Sequence, residues 1–160
     1  MRFRGSPAFE EFWRLLETES PRGLGIVVAA YFDEKLAMLL ARSRGDFIDR
    51  IELGAAMGLL SPNEREDLHV IRELRNRFAH RLQENTFDQS KSEQVDQMKT
   101  WQIAMQHRPE LKEEFPTPKE RLLYVAACLY LRLSKRTLTR EPLPEPDFHD
   151  AAAWPAVSSR

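Results

Sequence analysis

The sequence predicts an all-α protein: a single-domain helical bundle of about six helices over residues 1–140, followed by an extended or flexible Pro-rich tail over residues 141–160. Apolar residues recur at helical spacing in successive segments, and no segment alternates between polar and apolar residues as a half-buried strand does. A Ser/Thr-Pro pair also recurs, as Ser6-Pro7, Ser20-Pro21, Ser61-Pro62 and Thr117-Pro118. The hydroxyl can cap free backbone N–H groups, and proline suits the first helical position. Each pair is therefore predicted to open a helix.

The predicted helices are long enough to build one shared core. They span roughly residues 7–18, 21–42, 46–60, 61–81, 92–106 and 117–138. Two of the starts extend to a capping box, Ser61 with Glu64 and Thr117 with Glu120. The helix over 21–42 is apolar around most of its circumference, which is typical of a helix at the centre of the core or at a subunit interface. In the tail, Phe148 and Trp154 are the predicted anchors to the body.

Composition limits the classes of function. The chain has 160 residues, of which 42% are hydrophobic and 31% charged, and its formal net charge is −1. Such a charge gives no overall attraction to nucleic acid. The single Cys128 cannot form an intrachain disulfide, and no apolar run reaches the ~18–20 residues needed to span a bilayer. The N-terminus turns acidic where a signal peptide would be apolar. These features predict a cytoplasmic protein with no membrane partner.

The stretch RELRNRFAH, over residues 72–80, concentrates the candidate chemistry. On a helix, Ile71, Leu74 and Phe78 fall on a core-facing stripe, whereas Asn76 and His80 are i,i+4 neighbours on another face. Arg75 lies about 140° around the helix from His80. If Arg75 and His80 serve one site, the chain must bend there or a second subunit must complete the site.

Several familiar sites are missing from the sequence, which contains no Gly-rich phosphate loop, no HExxH and no CxxC. Among the four histidines, only His69 and His80 share a predicted face, and they are about 16 Å apart along a helix. Neither a metal nor another cofactor is therefore predicted. A helix-turn-helix is also disfavoured, because the first turns of the helix over 61–81 are acidic.

The remaining candidates are Arg75, Asn76 and His80. A histidine can exchange a proton near neutral pH, an amide can fix its tautomer, and a guanidinium suits a phosphate. This set could cleave RNA without a metal, with His80 as general acid or base and Arg75 stabilising the phosphorane. It could equally be structural, with Asn76 and His80 closing the helix.

Four further residues are candidate supports for this set: Asp33, Glu34, Arg72 and Glu73. Asp33 and Glu34 interrupt the apolar helix over 21–42, and a carboxylate there is costly to bury without a partner. One of them is expected to pair with an arginine of the helix over 61–81. That pair could be a structural salt bridge or a component of the site.

The runs GLGIVVAAYFDEKLAMLL and IELGAAMGLLSPNEREDLHVIRELRNRFAH resemble the mannitol operon repressor (MtlR-like) family of bacterial all-helical regulators. The resemblance covers about residues 23–105, and RNRFAH is its most specific part. It implies a repressor of sugar-alcohol uptake genes that acts through a protein partner, such as a sugar phosphotransferase component or a DNA-binding protein. Regulation through a protein partner is the leading interpretation.

The chain also resembles the broader HEPN superfamily of helical domains, which carry an arginine and a histidine near a helix end. Arg75 and His80 match that spacing, and Asn76 matches the polar residue that often follows the arginine. The resemblance implies, as the alternative, a metal-independent endoribonuclease of a toxin or defence system, with RNA as its substrate. Its motif would meet that of a second subunit. The chain is expected to form a homodimer.

Overall fold

The computed structural model describes residues 5–136, 144–150 and 153–155. These residues form eight helices and no strand, which confirms the predicted all-α class. The helices are α1 (Pro7–Glu17), α2 (Pro21–Leu39), α3 (Phe47–Ala56), α4 (Pro62–His80), α5 (Gln89–Asp96), α6 (Lys99–His107), α7 (Leu111–Glu114) and α8 (Pro118–Ser134). None of the eight described helices combines the length and the hydrophobicity that a membrane-spanning helix needs.

The four Ser/Thr-Pro pairs open α1, α2, α4 and α8, as predicted. In each case the hydroxyl oxygen accepts a hydrogen bond from the backbone N–H three residues later. Both predicted capping boxes form, and a third joins Asp46 and Asp49 at the start of α3. These starts depend on residues within one turn of each other, and local sequence therefore suffices to place them.

The described chain has more helices than the six predicted because the helix expected over 92–106 is two helices and because the short α7 is added. Asp67, on α4, causes the division. Its two carboxylate oxygens accept hydrogen bonds from the backbone N–H groups of Lys99, at 2.6 Å, and Thr100, at 3.0 Å. A side chain from another helix thus caps α6, whose own preceding residue provides no side-chain cap.

The core is built around α8, which is buried over most of its length. Helix α2 packs against α4 in the antiparallel sense: Gly25 lies against Phe78, and Arg22 donates a hydrogen bond to the carbonyl oxygen of Leu82 at 3.1 Å. A Cβ atom at Gly25 would lie 2.6 Å from a ring carbon of Phe78. Glycine therefore permits the close approach of these two helices.

A buried polar network joins the start of α4 to the end of α8. Glu64 is fully buried and pairs with Arg136, while the Arg132 guanidinium lies 3.9 Å from the same carboxylate. Arg132 also donates to the Thr100 hydroxyl at 3.1 Å. Buried charges require such partners, because an isolated buried ion costs several kcal/mol.

Part of the segment over 141–160 packs on this network. Glu145 accepts hydrogen bonds from the Ser61 hydroxyl at 2.8 Å and from the backbone N–H of Asn63 at 2.9 Å. Trp154 is buried and its ring lies 4.3 Å from the Arg132 guanidinium carbon. Phe148 stacks on the His107 ring, with a centroid distance of 4.5 Å. The other tail residues (141–143, 151–152 and 156–160), with the predicted helical residues 137–138, lie outside the described part.

Burial raises the pKa of Asp67 to about 6, although hydrogen bonds from Thr100 and Lys99 oppose the shift. The native state then holds the Asp67 proton more tightly than the unfolded state, whose carboxyl keeps its ordinary pKa near 4. Stability from this group is therefore present below about pH 4 and is lost as pH rises through about 6.

We expect the free energy of unfolding of the wild type, relative to that of Asp67→Asn, to fall by up to about 3 kcal/mol between pH 4 and pH 7. Asparagine keeps the shape of the side chain but does not titrate. Urea unfolding of both proteins at each pH measures the difference. A difference in the free energy of unfolding that does not change with pH would contradict the raised pKa of Asp67.

Candidate functional site

The site predicted from the sequence lies at the C-terminal end of α4. Phe78 is fully buried there between α2 and the segment that follows α4, and its ring meets that of Phe87 edge to face at 5.3 Å. The Lys91 ammonium lies 5.2 Å from the Phe78 ring centroid. Lys91 is itself fully buried and pairs with Glu84 at 2.6 Å and Asp88 at 2.8 Å. The end of α4 therefore packs against α2 on one side and against the segment that follows α4 on the other.

Arg75 and Asn76 are joined by their side chains. The Nε and Nη2 groups of Arg75 donate to the Asn76 Oδ1, at 3.3 and 3.1 Å. Both residues are half-buried. The sequence places Arg75 on a different face from His80, and the long arginine side chain reduces this separation by bending towards Asn76. The guanidinium thus reaches a residue that is one helical turn from His80.

His80 is the last residue of α4 and is exposed. Among the described residues it forms no hydrogen bond, and the Asn76 amide therefore does not fix the tautomer of its ring. The next residue, Arg81, leaves the helix in an extended conformation. The imidazole is consequently open to a ligand or to another protein.

Arg72 lies on the same face of α4 as Arg75 and Asn76, because it precedes them by three and four residues. Its Nε atom is buried and has no hydrogen-bond partner among the described residues. By contrast, Arg65 pairs with Glu52 at 2.8 Å, and Arg77 donates to Gln94 at 2.7 Å.

We call the surface formed by Arg72, Arg75, Asn76 and His80 the α4 patch. In the described part of the chain, neither Arg72 nor Arg75 has a carboxylate partner. Two cationic groups of the patch are thus left without a counter-ion of their own.

The expected salt bridge between α2 and the arginines of α4 does not form, and that prediction is wrong. Asp33 pairs instead with Arg50 of α3, at 2.5 Å, because α3 packs against α2 as well as α4. Glu34 is exposed and has no partner in the described residues. Glu73 accepts a hydrogen bond from Gln94 at 3.2 Å. Of the four predicted supporting residues, only Arg72 belongs to the α4 patch.

A second cluster on α4 was not predicted from the sequence. Glu52 of α3 contacts His69 at 2.6 Å as well as Arg65. Hydrogen bonds from Arg65 and His69 lower the pKa of Glu52, with Arg65 as the larger cause, against a smaller effect of desolvation. The cluster joins two helices that are separated in sequence, and no local pattern signals it.

The α4 patch suits the binding of anions. Guanidinium groups offer several N–H donors in one plane and match carboxylates and phosphates. No group of three or more His, Cys, Asp or Glu residues suited to a metal ion occurs in the described ranges. A cavity of about 250 Å³ lies between α1 and the start of α8, and no residue of the α4 patch lines it.

Comparisons with protein families, with characterised proteins and with solved structures gave no match to this chain. The assignment of function therefore depends on the residues described above and on the resemblance in the sequence.

Substitutions in the α4 patch should leave the fold intact. We expect Arg75→Ala and Asn76→Ala each to lower the free energy of unfolding by no more than about 1 kcal/mol, because their side chains bond chiefly to each other. Phe78→Ala, on the same helix turn, should cost about 3–5 kcal/mol because it leaves a cavity in the core. Chemical denaturation measures all three. A loss above about 2 kcal/mol in either polar variant would show that the pair is structural.

Proposed function

We propose that this chain is a regulator of the mannitol operon repressor type, which represses sugar-alcohol uptake genes through contacts with another protein. One structural observation carries the proposal. The α4 patch presents Arg72 and Arg75 without carboxylate partners in the described chain, beside an exposed His80. This is the end of α4 that carries the family resemblance. The patch lies on the surface and outside the cavity near α1, as expected for a protein contact.

The chemistry of the patch indicates an acidic partner. A carboxylate on the partner can accept two parallel hydrogen bonds from one guanidinium, and such pairs are both directional and strong. Complementary charge also speeds the encounter and selects against wrong partners. The chain would thereby control a sugar phosphotransferase component or a DNA-binding protein without reading DNA itself.

The regulatory role can be tested with a deletion strain of the organism that encodes the chain. We expect deletion to raise the transcript levels of sugar-alcohol uptake genes, and the wild-type chain to restore repression. The double variant Arg72→Glu/Arg75→Glu should not restore it, because the patch would repel an acidic partner. Arg14→Glu is the control: Arg14 is exposed on α1, and a charge reversal outside the α4 patch should leave repression unchanged. Transcript levels that do not respond to deletion would contradict the proposal.

A second function, a metal-independent endoribonuclease, is favoured by one specific contact. The hydrogen bonds from Arg75 to Asn76 hold a guanidinium one turn from the exposed His80. His80 would transfer the proton as general acid or base, while Arg75 would stabilise the charge that develops on the phosphorane. In this alternative a homodimer brings two α4 patches together, and RNA is the substrate.

An RNA cleavage assay separates the two functions. Under the regulatory proposal, we expect purified protein to leave mixed RNA intact in a buffer with EDTA. Cleavage by the wild type that is lost in His80→Ala, but kept in the control His149→Ala, would instead establish the ribonuclease. His149 is also exposed, and it lies far from α4 in the sequence. Both variants must first show the wild-type free energy of unfolding.

A further inference from the structure

The cavity of about 250 Å³, which we call the α1 cavity, lies where the end of α1 meets α7 and the start of α8. Part of its wall is apolar, because Trp13, Phe115 and Leu123 line it and are buried. Glu17 and Thr117 also line it and are exposed, so the cavity opens to the surface. Its volume is below the range of about 300–1,000 Å³ that is usual for drug-sized ligands. A ligand of this cavity is therefore a small molecule.

The charged side chains that line the α1 cavity are mostly acidic. Glu17, Glu114 and Glu120 contribute three carboxylates, whereas Lys119 is the one cation among the described residues that line it. The Lys119 ammonium donates a hydrogen bond to the backbone carbonyl oxygen of Glu17 at 2.9 Å, and it forms no ion pair with these carboxylates. Such an excess of negative charge attracts a cationic ligand.

Two of the three carboxylates can accept further hydrogen bonds. The exposed Glu17 carboxylate has no partner in the part of the chain that the structure describes. The Oε2 atom of Glu114 is buried and accepts no hydrogen bond from the described residues, although the Arg108 guanidinium lies 3.6 Å from Oε1. A buried carboxylate oxygen without a donor is unfavourable. Because rotation about the last side-chain bond of a glutamate is soft, the Glu114 carboxylate can turn towards a donor in the cavity.

The helix ends at the α1 cavity also favour a cation. The free N–H groups at the start of α8 would attract an anion. There, however, the Thr117 hydroxyl accepts from the N–H of Glu120, and the Glu120 Oε2 accepts from the N–H of Thr117 at 2.9 Å. This capping box already places a carboxylate at the start of α8. Helix α1 ends at Glu17, and the C-terminal end of a helix stabilises positive charge.

We propose that the α1 cavity binds a small organic dication, a linear aliphatic diamine. Its two ammonium groups pair with Glu17 and Glu114, which belong to different helices, and its methylene groups pack on Trp13 and Phe115. An ammonium group has three N–H donors and no acceptor, which suits carboxylates. A metal ion would leave the apolar wall unused, and the described residues contain no group of His, Cys, Asp or Glu suited to hold one.

This site does not rest on the proposed function, because it shares no residue with the α4 patch. Isothermal titration calorimetry of the full chain with putrescine, a four-carbon diamine, tests it near neutral pH, where both ammonium groups are charged. We expect one putrescine to bind per chain with a Kd of about 1 mM or lower. The four-carbon diol has the same length without the charges, and succinate has the opposite charge. Neither should bind.

No binding of putrescine up to about 10 mM would overturn the proposal. Binding of succinate would overturn it as well, since that result would mean that Lys119, and not the carboxylates, selects the ligand.

Amide variants locate the bound diamine. Glu17→Gln and Glu114→Gln each remove one charge and keep the shape of the side chain, so each should raise the Kd at least about threefold, and the double variant at least about tenfold. Glu11→Gln is the matched control: Glu11 is also exposed on α1 but does not line the cavity, and this variant should bind putrescine as the wild type does. Urea unfolding verifies that each variant folds. An unchanged Kd in Glu17→Gln and in the double variant would overturn the proposal, because the diamine would then bind elsewhere.

Discussion

The fully buried carboxylate of Glu64 is the constraint on which the rest of the structure depends. It accepts a hydrogen bond from the backbone N–H of Ser61 at 2.9 Å, which closes the first turn of α4, and it also pairs with Arg136 beyond the end of α8. Removing one partner of such a pair costs about 3–5 kcal/mol, because the other charge stays buried. The start of α4 is thereby fixed to the end of the most buried helix. The docked Glu145 adds a second carboxylate at the same helix start.

The two ends of α4 carry different kinds of charged residue. The first turns contain Glu64 and Asp67, which are buried and fully used in holding α6 and α8. The last turns contain Arg72 and Arg75, which lack carboxylate partners in the described chain. The helix has 19 residues and is about 28 Å long. Because α4 is one continuous helix, the anchoring of its N-terminal end also fixes the position of its C-terminal end. The α4 patch therefore needs no ion pair of its own to be held in place.

The sequence predicts those features that depend on neighbouring residues. Ser61 and Thr117 place helix starts because their hydroxyls bond within one turn, and Phe78 is predicted to be buried because of helical spacing alone. Asp67 and Asp33 show where this reasoning fails. Asp67 caps α6, which begins 32 positions later, and Asp33 meets Arg50 of a different helix. The packing of the helices determines such partners, and a local sequence pattern does not predict that packing. The link between Arg75 and Asn76 was missed for a different reason, since helix geometry places the backbone but not the bend of a long side chain.

Arg22 connects the start of α2 to the segment that follows the α4 patch. Its Nη1 group donates hydrogen bonds to the Leu82 carbonyl oxygen and to the Asn85 Oδ1. These two residues lie two and five positions beyond His80, so the contact limits the conformations of the chain where it leaves the patch. A segment that is already ordered in the free protein loses less conformational entropy when a ligand binds beside it. The position of a single side chain on α2 therefore helps to prepare the end of α4 for binding.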